Sequence, residues 1–129
     1  MDLSVSSRLL GFHKLGEVNF EKTLLRAVDS GLLLLGETPR KAIFYHLNAK
    51  FQLERENILE KIEEFAQALN AIFGSGAEII EKFIVKELYR RLRFDFEEKM
   101  NFEFPDYVRQ AEQSVSDMKK RGNVGLEQE

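Results

Sequence analysis

Two apolar stripes of helical period meet at Gly74-Ser75-Gly76, and this junction restricts the chain more than any other stretch. Upstream, Ile58, Ile62, Phe65, Leu69, Ile72 and Phe73 recur at intervals of 4, 3, 4, 3 and 1, with Glu60, Lys61, Glu63, Glu64, Gln67 and Asn70 on the other side. Downstream, Ile80, Ile84 and Leu88 form a row flanked by Phe83 and Leu92. Rows of this kind belong to helices that bury one face. Gly74 reads as the terminator of the first helix, and Ser75 with Glu78 has the capping-box spacing that opens the second. So short a connection sets the two helices in a tight corner. Glycines ahead of a helix start can also cradle a phosphate. The lysine-bearing phosphate-loop pattern and its preceding strand are missing, which favours the structural joint.

The remaining signals are helical as well. Asn19 is placed to cap a helix carrying Phe20, Leu24, Val28, Leu32 and Leu35 on one stripe, with Gly31 predicting a local bend. Gly36 is expected to end it in a left-handed conformation. Thr38 and Pro39 then read as the cap and first residue of a second helix, with Ile43, Leu47 and Phe51 on its inner side. Asn57 with Glu60 predicts a further capping box. Between Phe94 and Phe104 the period changes: Phe94-Asp95-Phe96-Glu97 and Phe102-Glu103-Phe104 alternate as strands do. A small hairpin and an extended loop that pins Phe rings over the core both fit. The loop is favoured, because a lone hairpin is marginal. Pro105 and Asp106 open a last helix marked by Ala111, Val115 and Met118 and ending at Lys119-Lys120-Arg121. The expected architecture is all-α: a single domain over residues 1–121, about five helices in a compact bundle, with an irregular segment at 1–18 and a flexible tail at 122–129.

Composition removes several classes of function. With 43% hydrophobic and 32% charged residues, the 129-residue chain reads as a globular domain rather than a disordered one. The absence of Cys rules out disulfides, thiolate chemistry and every Cys-containing zinc site. The apolar run Leu32-Leu33-Leu34-Leu35 is far shorter than the roughly twenty residues of a membrane span, and no secretory signal is visible at the start. A cytoplasmic protein with no membrane partner is the expectation. The formal charge of −3 gives no general pull toward nucleic acid.

Candidate sites are few. His13 and His46 stand far apart without a converging ligand pattern, so neither metal nor cofactor is expected and His46 reads as a structural imidazole beside an apolar stripe. Lys82, Lys86, Arg90 and Arg93 fall at intervals of 4, 4 and 3, and residues 82–93 hold five bases against one acid, Glu87. Such a stripe can follow a phosphate backbone. It is equally the solvated face of a helix whose Glu78 pairs with Lys82, and the negative chain favours that second reading. Asp95, Glu97, Glu98, Glu103 and Asp106 are explained as the solvent side of the alternating Phe residues. A pocket among the Phe residues, with Tyr45 or His46 at its lip, ranks last. Leu32, Leu33, Leu34 and Leu35, together with Phe94, Phe96, Phe102 and Phe104, are the candidate interaction residues, because apolar excess of this kind marks interfaces when exposed.

Two segments carry a resemblance. Leu35-Gly36-Glu37-Thr38-Pro39-Arg40-Lys41-Ala42-Ile43-Phe44-Tyr45-His46-Leu47 and Ala71-Ile72-Phe73-Gly74-Ser75-Gly76-Ala77-Glu78-Ile79-Ile80-Glu81 look like a small archaeal family, the nitrosopumilus-type output domain. The similarity runs over about residues 20–92, and the segments outside it do not match. The family occurs alone or attached to signalling modules and has no assigned catalytic residues to carry over. The resemblance implies a stand-alone output or adaptor module of signal transduction. With no reactive constellation and an excess of large apolar residues at Leu32–Leu35 and Phe94–Phe104, the expected function is non-enzymatic: a homodimer that recognises a further protein. Nucleic-acid binding through Lys82, Lys86, Arg90 and Arg93 is the alternative.

Overall fold

The computed structural model describes residues 19–122 and is all-α. Its helices are α1 (Phe20–Leu33), α2 (Glu37–Phe51), α3 (Ile62–Phe73), α4 (Ala77–Leu92) and α5 (Phe104–Gly122). The irregular start expected at 1–18, and His13 with it, lie outside the described residues, as do residues 123–129. Gly122, expected in the tail, belongs to α5.

Helix α4 is the hub. It packs against α1 along most of its length and against α3 and α5 on its other sides. Its Ala77, Ile80, Ile84, Val85, Leu88, Tyr89 and Leu92 are buried in one core with Leu24 and Val28 of α1, Phe65 and Leu69 of α3, and Val108 of α5. Gly31 lies inside α1, which is helical from Phe20 to Leu33. It is the point where α1 and α4 approach: a Cβ built there meets Ile84 Cγ1 at 2.5 Å.

Several helix starts differ from their sequence signals. The Asn19 cap forms, its Oδ1 accepting the Lys22 N–H at 3.1 Å. Gly36, with φ 111° and ψ 162°, precedes α2 in place of Thr38, and its carbonyl accepts the Arg40 N–H at 3.0 Å. It is not in the left-handed helical region. Neither the Asn57–Glu60 nor the Ser75–Glu78 capping box forms. A 3-10 turn at Arg55–Asn57 and another at Gly74–Gly76 precede α3 and α4, neither of which has a side-chain cap. Tight turns bond their own orphan N–H groups to nearby carbonyls, leaving a capping side chain little to satisfy. Ile58 is buried all the same, so the stripe is right although α3 starts four residues later.

Helix α2 is the least embedded: only Ile43 and Leu47 of its fifteen residues are buried. It is tied to α1 by charge. Arg40 donates to Asp29 at 3.1 Å and to Glu37 at 2.9 Å, while Arg55 pairs with Asp29 from the opposite side. Both guanidinium groups lie over the Phe44 ring, at 5.8 and 5.7 Å.

Gly74 takes φ 59° and ψ −131°, and nothing lies within 4 Å of a Cβ built on it. Its requirement is conformational, since L residues avoid positive φ. Gly74→Val is therefore expected to lower stability by about 1 kcal/mol through backbone strain. Thermal denaturation checks this, and an unchanged Tm would refute the corner.

Candidate functional site

Residues 94–103 form no strand; they are the loop the sequence favoured, held by aromatic packing. Phe96 stands edge-on to Tyr89 with ring centres 5.6 Å apart and tilts against Tyr107 at 5.4 Å. Phe102 packs edge-on to Tyr107 at 5.1 Å. The Tyr107 hydroxyl accepts the Lys99 N–H at 2.8 Å, and the Tyr89 hydroxyl donates to the Tyr107 carbonyl at 2.8 Å. These contacts clamp the loop to α4 and α5. Asp106 assists from the first turn of α5, accepting the Glu103 N–H at 2.8 Å.

Beneath the loop lies a cleft of about 670 Å³. It is lined by Ala66 and Asn70 of α3, by Gly74 and Ser75 of the turn, by the first half of α4, by the loop and by the start of α5. Phe96, Phe102, Phe104 and Tyr107 give it aromatic surface; Glu78, Glu81, Glu98 and Glu103 give it carboxylates, against Lys82 and Lys99. Lys82 is neutralised by Glu98. That bond holds the Lys82 ammonium above and the Glu98 carboxyl below their usual ranges, so both stay charged. Glu81 is different. Partial burial, then the like charges of Glu103 and Glu78, push its carboxyl up to about 7. A carboxyl shifted this way inside a cleft is a recognised functional signal, through its ability to hold or release a proton near neutrality.

Sequence reasoning passed over Glu81, although a signal was present. Ala77, Glu81, Ile84 and Leu88 share one helical row, and the other three are buried core residues. An acid inside an apolar row is the informative kind of exception. The expected lip residues are elsewhere: Tyr45 is exposed on α2, and His46 is half-buried edge-on to Phe51 at 6.0 Å. The acidic lining also opposes the phosphate reading of Gly74-Ser75-Gly76.

The expected interaction set divides. Leu32 is fully buried in the core and Phe104 is buried against Phe65, so neither is available to a partner. Leu32 faces inward because it continues the Leu24–Val28 row. Phe94, Phe96 and Phe102 are half-buried by the tyrosines they pack on. Leu33, Leu34 and Leu35 remain on the surface, 45%, 57% and 41% exposed.

The basic stripe is largely engaged. Besides the Lys82–Glu98 pair, Arg90 grips Glu87 with two nitrogens, at 3.1 and 2.6 Å, and Arg91 shares that carboxylate at 2.8 Å. Lys86 lies over the Phe96 ring at 5.9 Å. Arg93 sits past the end of α4 with φ 64°.

The fold and surface define an all-α domain with an exposed leucine run on one side and an acidic, aromatic-walled cleft on another. No family model, curated protein or solved structure matches the chain. Among the described residues no helix is long and apolar enough to cross a membrane.

Proposed function

We propose that this protein is a non-enzymatic interaction module that works as a homodimer through α2 and the turn before it. The carrying observation is an exposed leucine run followed by an exposed apolar row along α2. Leu33, Leu34 and Leu35 lead into Pro39, Ala42, Tyr45 and Ala49, which are all exposed and spaced 3, 3 and 4 along α2. A helix with a buried row on one side and an apolar row on the other has two faces to cover.

A second copy fits this strip best. Exposed Glu37 stands at the amino end of α2 and exposed Lys50 at its carboxyl end. A two-fold axis that sets α2 antiparallel to its mate brings opposite charges and opposite helix-dipole ends together. Small residues at 42 and 49 permit close approach, and Tyr45 supplies an aromatic anchor. Three leucines and one tyrosine fall short of a standard interface of roughly 800 Å² per partner, so the dimer is expected to be weak, with a dissociation constant on the order of micromolar.

Light scattering across a dilution series is expected to show a monomer at low micromolar and a dimer at high micromolar concentration. Leu34→Asp is expected to weaken association at least about tenfold while leaving the fold intact, because a desolvated charge at the interface centre goes unpaired. A strict monomer at high micromolar concentration would sink the proposal. The archaeal signalling-output role implied by the resemblance suits such a module, acting in the cytoplasm on a further protein. Nucleic-acid binding is the weaker reading, since Glu87 and Glu98 already occupy much of the basic stripe.

A further inference from the structure

We propose that the cleft beneath the aromatic loop binds small aromatic cations, their charge toward Glu78, Glu81 and Glu103 and their ring against Phe96, Phe102 and Tyr107. Its volume of about 670 Å³ suits a small molecule. The charge balance selects the sign of the ligand. With Lys82 and Glu98 cancelling each other, Glu78, Glu81 and Glu103 face a single remaining ammonium among the lining residues, that of Lys99. The rings select its character. Lys99 already lies over Phe102 at 5.6 Å and Lys86 over Phe96 at 5.9 Å, so both loop phenylalanines hold cations on their π faces within the folded chain. A metal ion suits the site poorly: among the described residues no three acidic or histidine side chains converge to hold one. A diffuse organic cation asks less of carboxylate geometry.

The proton completes the inference. Glu81 shares the cleft with Glu78 and Lys82 on its own helix, Glu98, Lys99 and Glu103 on the loop, and Tyr107 at the start of α5; Glu103 and Glu78 are the like charges that act on it. A cation entering beside it favours the ionised form, so binding releases the Glu81 proton and strengthens as pH rises through about 7.

The test uses the full chain and benzamidinium, which stays charged throughout, with benzyl alcohol, benzoate and butylammonium as comparisons. Amide NMR titrations are run at pH 6 and pH 8, and repeated in Leu34→Asp so that self-association plays no part. Benzamidinium is expected to shift amides of residues 74–85 and 96–107 in a saturable way, binding about tenfold tighter at pH 8 than at pH 6, as the ionised fraction of a group titrating near 7 requires. Glu81→Gln is expected to remove that pH dependence and to weaken binding at pH 8, while butylammonium binds more weakly for want of a ring. Absence of saturable shifts, equal binding of benzyl alcohol, preference for benzoate, or a pH dependence that survives Glu81→Gln would each overturn the proposal. A melting curve of Glu81→Gln establishes that the variant is folded.

Discussion

Gly31→Val is expected to lower stability by about 2–3 kcal/mol, a drop in Tm of roughly 7–14 °C for a domain of this size. The cause is overpacking where α1 crosses α4. The added Cβ alone lies 2.5 Å from Ile84 Cγ1 and 3.3 Å from its Cδ1, and Ile84 is fully enclosed. Valine's branches enlarge the clash, whereas its helix propensity recovers only about 0.5 kcal/mol relative to glycine. Gly31→Ala separates the two effects. It regains about 1 kcal/mol of propensity and meets the smaller clash, so its net loss is expected near 1 kcal/mol. Ile84→Ala alone opens a cavity and costs about 2–5 kcal/mol. Combined with Gly31→Val, the new side chain grows into that space, and the double variant is expected to be more stable than the sum of the single losses by about 1–3 kcal/mol. Urea denaturation of the four proteins checks this; simple additivity would show that Gly31 and Ile84 do not share the crossing.

Gly31 also marks what the sequence hides. Its local context is a glycine within a helical pattern, which reads as a bend. Its actual role is set by Ile84, a residue on a different helix, and no local period reports which residue arrives there. The same division runs through the fold. The rows at Phe20–Leu24–Val28, Ile62–Phe65–Leu69 and Ile80–Ile84–Leu88 were legible because burial imposes the helical period directly on composition. The helix starts at α3 and α4 were not, because a 3-10 turn can satisfy the same N–H groups that a capping box would.

At the surface the limits are of another kind. The leucine run at 32–35 was visible, but only the course of α1 decides that Leu32 turns inward while Leu33, Leu34 and Leu35 stay out. The outer row of α2 is hidden in the sequence because Pro39, Ala42 and Ala49 are too small to dominate a stripe. The basic row looked free because Glu98, the acid that engages Lys82, lies beyond the helix on the folded-back loop. Glu81 was legible in principle as an acid in an apolar row; its neighbour Glu103 comes from the far side of that same loop.

Glu81→Gln is expected to stabilise the protein at pH 8 by about 1–2 kcal/mol, a large effect for a single polar exchange. Folding raises the Glu81 pKa from 4.5 to about 7. At face value a shift of this size is worth roughly 3 kcal/mol, and solvent screening of a half-buried group brings it down to the expected figure. The sign follows from proton counting. Below pH 4.5 the carboxyl is protonated in both folded and unfolded chains and contributes nothing. Between pH 4.5 and 7 the unfolded chain releases the proton while the folded chain keeps it, so stability falls as pH rises, then levels off above 7. Glu37, Glu87 and Glu98, all lowered first by bonds to Arg40, Arg90 and Lys82, act in the opposite sense: their stabilisation is complete above pH 4.5 and is lost only below it. Of these four glutamates, Glu81 alone lowers stability as pH rises across the interval from 4.5 to 7. Chemical denaturation at pH 5, 6, 7 and 8 should show a declining stability in the parent chain and a flatter one in Glu81→Gln; parallel profiles would remove the shift. A charge that weakens the fold at neutral pH persists where a site makes use of it. Glutamine at this position is thus expected to gain stability at pH 8 and to lose cation affinity at the same pH, and measuring both in one variant separates a binding carboxylate from a merely ill-placed one.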